Sequence, residues 1–283
     1  FSTILINQIT AQTQTNLLTD ARVLSLDVES LKQQSLVKAE RIALEEDFRN
    51  AIMHNDFAAM EQLGETLMER YDLGFLTVTD AQGSVLVRAH TLSRRGDSLS
   101  GERALEEALR GNSFVTIENS SVEKLSIRAG TPVLDGKKVV GTIIAGYPLD
   151  NALVDNIKRL TGLEMFIYDQ TTATAATALS ADGRTRATGI KLNDMSVQDT
   201  VLMRGKAATA EANLYGQPFL MGYLPLVNGD DKIVGMIAAG KSQQDILDLA
   251  NATNRLTLMT VILIMLVLSY PIYLFTRRLS EEI

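Results

Sequence analysis

The chain has 283 residues and no cysteine, and its 27 Lys and Arg against 34 Asp and Glu leave a net charge of -7. The cations are scattered rather than gathered into a stripe, which excludes the electrostatic footprint of a nucleic-acid binder. The missing cysteine excludes a disulfide framework, a thiolate metal site and a Cys nucleophile.

About 250 residues outside one apolar stretch near the C-terminus give room for two modules of about a hundred residues each plus a helix. Residues 1 to about 70 contain no proline and one glycine, Gly64. Leu17, Ala21, Leu24, Val28 and Leu31 recur at intervals of four and three, so they share one face of a helix. The pattern predicts a long amphipathic helix that breaks near His54 to Asp56, followed by a second helix from Phe57 to Tyr71. Unbroken over about 50 residues, the first would be about 75 Å long, a length suited to a connector or to a dimerising coiled coil.

From Gly74 the period changes. Phe75, Leu76 and Val78, then Val85, Leu86 and Val87, flank the turn Asp80-Ala81-Gln82-Gly83 and predict a hairpin. Glu102 to Leu109 is a short predicted helix with Gly111 at its C-terminal end. Phe114 to Glu118, Lys124 to Leu134 and Lys138 to Tyr147 alternate as strands, and the last two are joined through Asp135-Gly136, a favoured pair for a tight turn.

That hairpin returns. Pro132 to Gly136 and Val139 to Gly146 are echoed by Pro225 to Gly229 and Ile233 to Gly240 at an offset of 93 or 94 residues, and Gly74 to Asp80 is echoed by Gly162 to Asp169. The chain therefore carries two copies of one antiparallel unit, each introduced by a helix. Leu256 to Thr276 is twenty-one residues without a charge, enough to cross a hydrocarbon core of about 30 Å as a helix, and Arg277 and Arg278 mark the cytoplasmic mouth. Phe1 in place of Met, an apolar start from Phe1 to Ile6 and an end in mid-pattern at Leu279 to Ile283 read as a fragment of a longer membrane protein.

This order of elements resembles the double Cache family, the extracytoplasmic PAS-like sensor domains of bacterial and archaeal chemoreceptors, sensor kinases and cyclases. The resemblance implies an α+β chain: helices over 1–73, a membrane-distal PAS-like module over 74–150, a membrane-proximal one over 151–252, a transmembrane helix over 256–276 and the start of a cytoplasmic segment over 277–283. Residues 1–255 would lie outside the inner membrane of a homodimeric receptor.

Cations outnumber anions around Arg88-Ala89-His90, Arg94-Arg95-Gly96-Asp97 and Ser126-Ile127-Arg128. The planar donor fork of arginine matches a carboxylate, so these segments predict a site for a small organic acid or an amino acid, whose ammonium Asp97 or Glu118 could meet. By resemblance to the citrate and dicarboxylate sensors of the single-Cache group, Arg88, His90 and Arg128 occupy ligand positions. Arg94, Ser126, Thr131 and Tyr147 complete the expected set. The chain departs from those sensors at Gly130, where they carry a lysine, and at Ile144, where they carry a hydroxyl, which favours a smaller acid than citrate. The ordinary alternative for Arg88 and Arg128 is a surface ion pair with Asp80, Asp97 or Glu118.

Met221 stands at the repeat position of Arg128, so the second unit is expected to be a spacer that passes strain to the span. No HExxH, GxSxG or Walker motif is present, and nothing calls for a metal, a cofactor or an enzymatic activity in this segment. The rival to small-molecule sensing is a module that docks a solute-binding protein or envelope component through an exposed apolar patch.

Overall fold

The computed structural model describes residues 2–91, 96–120, 124–180, 182–214, 216–246, 248, 255–256 and 258–269. Helix α1, Ser2–Ala43, is 42 residues long, which is about 63 Å at 1.5 Å per residue. Leu17, Ala21, Leu24, Val28, Ser35, Ala39 and Ile42 form its buried stripe. The stripe serves two cores in turn, Leu17 to Val28 packing in one drawn mainly from residues 149–246 with Ile117, Leu125 and Ile127 at its margin, and Ala39 to Ala43 in one drawn from residues 48–145.

The expected single break is two breaks. α1 ends at Ala43, α2 covers Glu46–Met53 and α3 covers Phe57–Arg70. The first break comes from tightened bonds, Leu44 N to Arg41 O at 3.2 Å and Glu45 N to Ile42 O at 3.1 Å, which end the helix without glycine or proline. At the second, the Asp56 carboxylate accepts from the Ala59 N–H at 3.1 Å and caps α3.

Two five-stranded antiparallel sheets follow. The first contains β1 (Phe75–Asp80), β2 (Val85–Arg88), β3 (Phe114–Ser120), β4 (Lys124–Asp135) and β5 (Lys138–Pro148) in the order β2-β1-β5-β4-β3, with helix α4 (Arg103–Leu109) between β2 and β3. Helix α5 (Asn151–Thr161) leads to the second sheet, made of β6 (Glu164–Asp169), β7 (Thr172–Ala176), β8 (Ala208–Leu214), β9 (Gln217–Val227) and β10 (Ile233–Ser242). Its order, β7-β6-β10-β9-β8, repeats the first sheet strand for strand. A short helix α6 (Met195–Gln198) continuing into a π-helical turn at Asp199–Met203 stands where α4 stands in the first unit.

Each sheet has α1 on one face and its own short helix on the other. Leu76, Val78, Ala129, Val133, Ile143 and Ala145 pack toward α1–α3, whereas Phe75, Val85 and Ile144 pack with Leu105 of α4. Residues 258–269 are helical, with Leu258, Met259, Leu263, Met265 and Leu268 each about 60% exposed. Among the described residues no helix is long and apolar enough to cross a membrane. The remainder of the expected span, 257 and 270–276, and Arg277 and Arg278 lie outside the described residues.

Candidate functional site

Alternation along strands decides which side chains can meet, because successive residues point to opposite faces. In the first sheet Arg88 pairs with Thr77, Phe75 with Gly146, Gly146 with Arg128, and Arg128 with Thr116. All of these lie on the face turned from α1 toward α4.

Two arginines on this face are almost completely buried, Arg88 and Arg128 each being 1% exposed. Arg88 donates Nη1 and Nη2 to the two oxygens of Asp97 at 2.6 and 2.8 Å. Arg128 donates Nη1 to Glu102 at 2.8 Å and Nε to the Ser126 hydroxyl at 3.1 Å, and its guanidinium carbon lies 5.0 Å from the centre of the Phe75 ring. The His90 ring meets Phe75 edge-on at 5.8 Å, so His90, Phe75 and Arg128 form one row. Gly146 permits that row. A Cβ there would sit 1.8 Å from the Ile127 carbonyl oxygen and 3.1 Å from Phe75 Cζ, so any side chain would displace the ring.

Asp97 and Glu102 come from the segment joining β2 to α4. An isolated buried charge costs several kcal/mol, so carboxylates at both forks are what allow the arginines to stay charged there. The arrangement is a pair of carboxylate-matching forks already holding carboxylates. Glu118 on β3 sits beside them and accepts from the Arg103 and Ala104 N–H groups at 2.7 and 3.3 Å, capping α4. Burial pushes its carboxyl up from the usual range, against the pull of those two amides and of the Arg128 charge. Gly130, which stands where the resemblance has a lysine and was read as favouring a smaller acid, has a steric cause. A Cβ there would lie 2.1 Å from the Ala104 carbonyl oxygen, because α4 rests backbone to backbone on β4.

The structure thus gathers Arg88, His90, Ser126 and Arg128. It does not bring Thr131 or Tyr147 to them. Both point to the α1 face, one residue out of phase with Arg128 and Gly146: Thr131 donates to the Ser113 hydroxyl at 3.4 Å, and Tyr147 accepts from Lys38 Nζ and donates to the Asp72 carbonyl, each at 2.6 Å. Arg94 lies outside the described residues. Of the ion pairs expected as the ordinary alternative, Arg88 with Asp97 is present, the arginine buried and the aspartate 44% exposed, and Arg128 takes Glu102, which was not among the expected acids. Glu102 and Phe75 were missed, the first because it reads as the start of a helix and the second because it reads as an ordinary apolar strand residue.

The second sheet fills the matching space with its own side chains. Gly240 pairs with Met221 as Gly146 pairs with Arg128, which confirms the repeat alignment. By the same register Phe166 and Tyr168 replace Thr77 and Thr79, and Tyr223 replaces Gly130. All four large side chains are at most 2% exposed, with Phe166–Tyr168 and Tyr168–Tyr223 ring centres 6.1 and 6.3 Å apart. Burial pushes both phenol groups up. Among the described residues of this layer no Lys or Arg is buried.

Residues 148–253 match the family model described as Single cache domain 3. The second unit, about a third of the chain, is therefore similar to a single Cache domain. The same fold occurs in the ligand-binding domain of the Campylobacter jejuni chemoreceptor Tlp3 in complex with 4-methylisoleucine, 14% identical with a TM-score of 0.54 over 86% of this chain and 94% of that one. It occurs again in the sensor domain of the V. cholerae histidine kinase DctB, 11% identical with a TM-score of 0.54 over 85% of this chain and 98% of the other. Tlp3 in complex with L-valine aligns at 14% identity and a TM-score of 0.50, covering 87% and 97% of the two chains. No curated protein matches the chain in sequence.

Proposed function

We propose that this chain is a double Cache domain forming the extracytoplasmic sensing region of a transmembrane receptor, and that the face bearing Arg88 and Arg128 binds a small carboxylate-bearing metabolite, an amino acid or an organic acid. One observation carries the proposal: two arginines, each 1% exposed, stand on one face with their forks held by carboxylates of a single connecting segment. An incoming carboxylate has the shape and charge to take the place of Asp97 or Glu102, and the carboxylate released is then available to an ammonium group. The L-valine complex of Tlp3 shows that this fold accommodates an amino acid in another protein, which supports the amino-acid branch. The filled face of the second sheet supports assigning the ligand to the first.

The exposed apolar helix at 258–269 supports reading 256–276 as the membrane span and 1–255 as the outer part. Pairing of two copies through α1 completes the receptor. A rival is docking of a solute-binding protein or envelope component, favoured by the exposed Leu44, Met53 and Phe57 at the first-sheet end of the helices.

The test is a thermal-shift panel of the L-amino acids and C2–C6 organic acids on the whole chain in detergent, wild type against Arg128→Ala. A ligand at a hundredfold excess over its Kd adds about 2.7 kcal/mol of stability. A carboxylate that raises the midpoint of the wild type and leaves that of the variant unmoved is the expected result. A panel in which nothing stabilises the wild type overturns the proposal in favour of docking.

A further inference from the structure

The turn between β9 and β10 reaches out of the second sheet and lies against β3 and the start of α4. Gly229 N donates to the Thr116 hydroxyl at 3.0 Å. A Cβ on Gly229 would lie 2.3 Å from the Val115 carbonyl oxygen and 2.7 Å from Phe114 Cζ, so the approach is backbone to backbone. The repeat copy of this glycine behaves differently. Gly136 has φ 63 and nothing within 4 Å of its Cβ position, so it serves its own turn, whereas Gly229 serves the contact.

Beside it, Asp230 accepts from Arg103 Nε at 3.1 Å and from Nη2 at 3.3 Å, and the guanidinium lies over the Phe114 ring at 5.3 Å. Arg103 directly follows Glu102, whose carboxylate holds Arg128, and Thr116 stands opposite Arg128 in the β3–β4 register. Both contacts of one turn therefore end next to Arg128: one on the chain neighbour of its acid, the other on its cross-strand partner.

We infer that Asp230 is a positioning residue for the arginine site, fixing Glu102 through Arg103 although it belongs to the other sheet. Resting on the ligand reading above, the inference also gives the route outward. A carboxylate that displaces Glu102 from Arg128 moves the start of α4, releases the hold of Arg103 on Asp230, and so acts on β10, the strand that leads toward 255–269. Coupling between two sites is reciprocal, so what the turn does to affinity, ligand does to the turn.

The test uses the whole 283-residue chain in detergent as wild type, Asp230→Asn, Asp230→Glu and Gly229→Ala. With no acid added, amide hydrogen exchange over 99–106 is expected to quicken in Asp230→Asn and Gly229→Ala and to return toward wild type in Asp230→Glu, with β6 unchanged. With each acid of the panel that stabilises the wild type, Kd is expected to rise about threefold to tenfold in Asp230→Asn, and the acid alters exchange over 226–232 in wild type and Asp230→Glu but not in Asp230→Asn. Unchanged exchange over 99–106 overturns the inference, as does a panel acid that binds all four chains equally and leaves 226–232 unmoved. A panel without a hit sinks the ligand reading alone, and exchange over 99–106 then decides the positioning role.

Discussion

Two residues of the arginine face show how tightly local chemistry is set. At Gly130 the added methyl of Gly130→Ala meets the Ala104 carbonyl oxygen at 2.1 Å, and neither backbone can rotate away as a side chain would. α4 must lift, and a destabilisation of about 1–3 kcal/mol is expected in urea unfolding, the range of overpacked cores. Glu118 gives a pH signature. Its carboxyl is raised above 4.5 by burial, so its share of stability is present in full below about pH 4.5 and is lost as pH rises through the folded value. The unfolding free energy of wild type minus that of Glu118→Gln is therefore expected to fall as pH rises from about 4.5, and a flat difference would refute the assignment. Arg88 and Arg128 were legible because a cation inside an apolar strand demands an explanation. Glu102 was not, since its partner lies 26 residues away and only the register of β4 brings them together.

At the scale of elements, α1 has a second face that none of the described residues covers. Val23, Leu26, Ser30, Gln33, Val37 and Glu40 are all exposed and follow alternating steps of three and four, on the side opposite the buried stripe, and exposed Leu44, one residue past the helix end, takes the next step of four. Leu26, Val37 and Leu44 are 70%, 48% and 80% exposed. Such steps form the seam of a two-stranded coiled coil, and in a parallel pair they set Arg22 against Asp27 of the second copy. The double substitution Leu26→Glu, Val37→Glu is expected to halve the mass measured by light scattering while leaving far-ultraviolet circular dichroism unchanged. The strands were readable from alternation and from the repeat, whose second copy checks the first. The end of α1 at Ala43 was not readable, because it is made by backbone bonds alone, whereas the break at Asp56 carried a capping side chain in the sequence.

For the molecule as a whole, the exposed apolar helix at 258–269 has no protein surface to bury it among the described residues. The chain is expected to float with lipid vesicles in a density gradient, and a version ending at residue 255 to stay in the aqueous fraction; flotation of both would place the anchor elsewhere. The overall order of helices and sheets could be read from sequence because each unit obeys its own periodicities. How the units meet could not, since a glycine kept for its dihedral and a glycine kept for clearance are the same letter, as Gly136 and Gly229 show. Gly229 also makes the two halves poor candidates for transplantation. A first unit grafted from another protein would have to bring a first-sheet edge that leaves the same gap for a bare backbone turn, or the two units of the hybrid would fold without seating against each other.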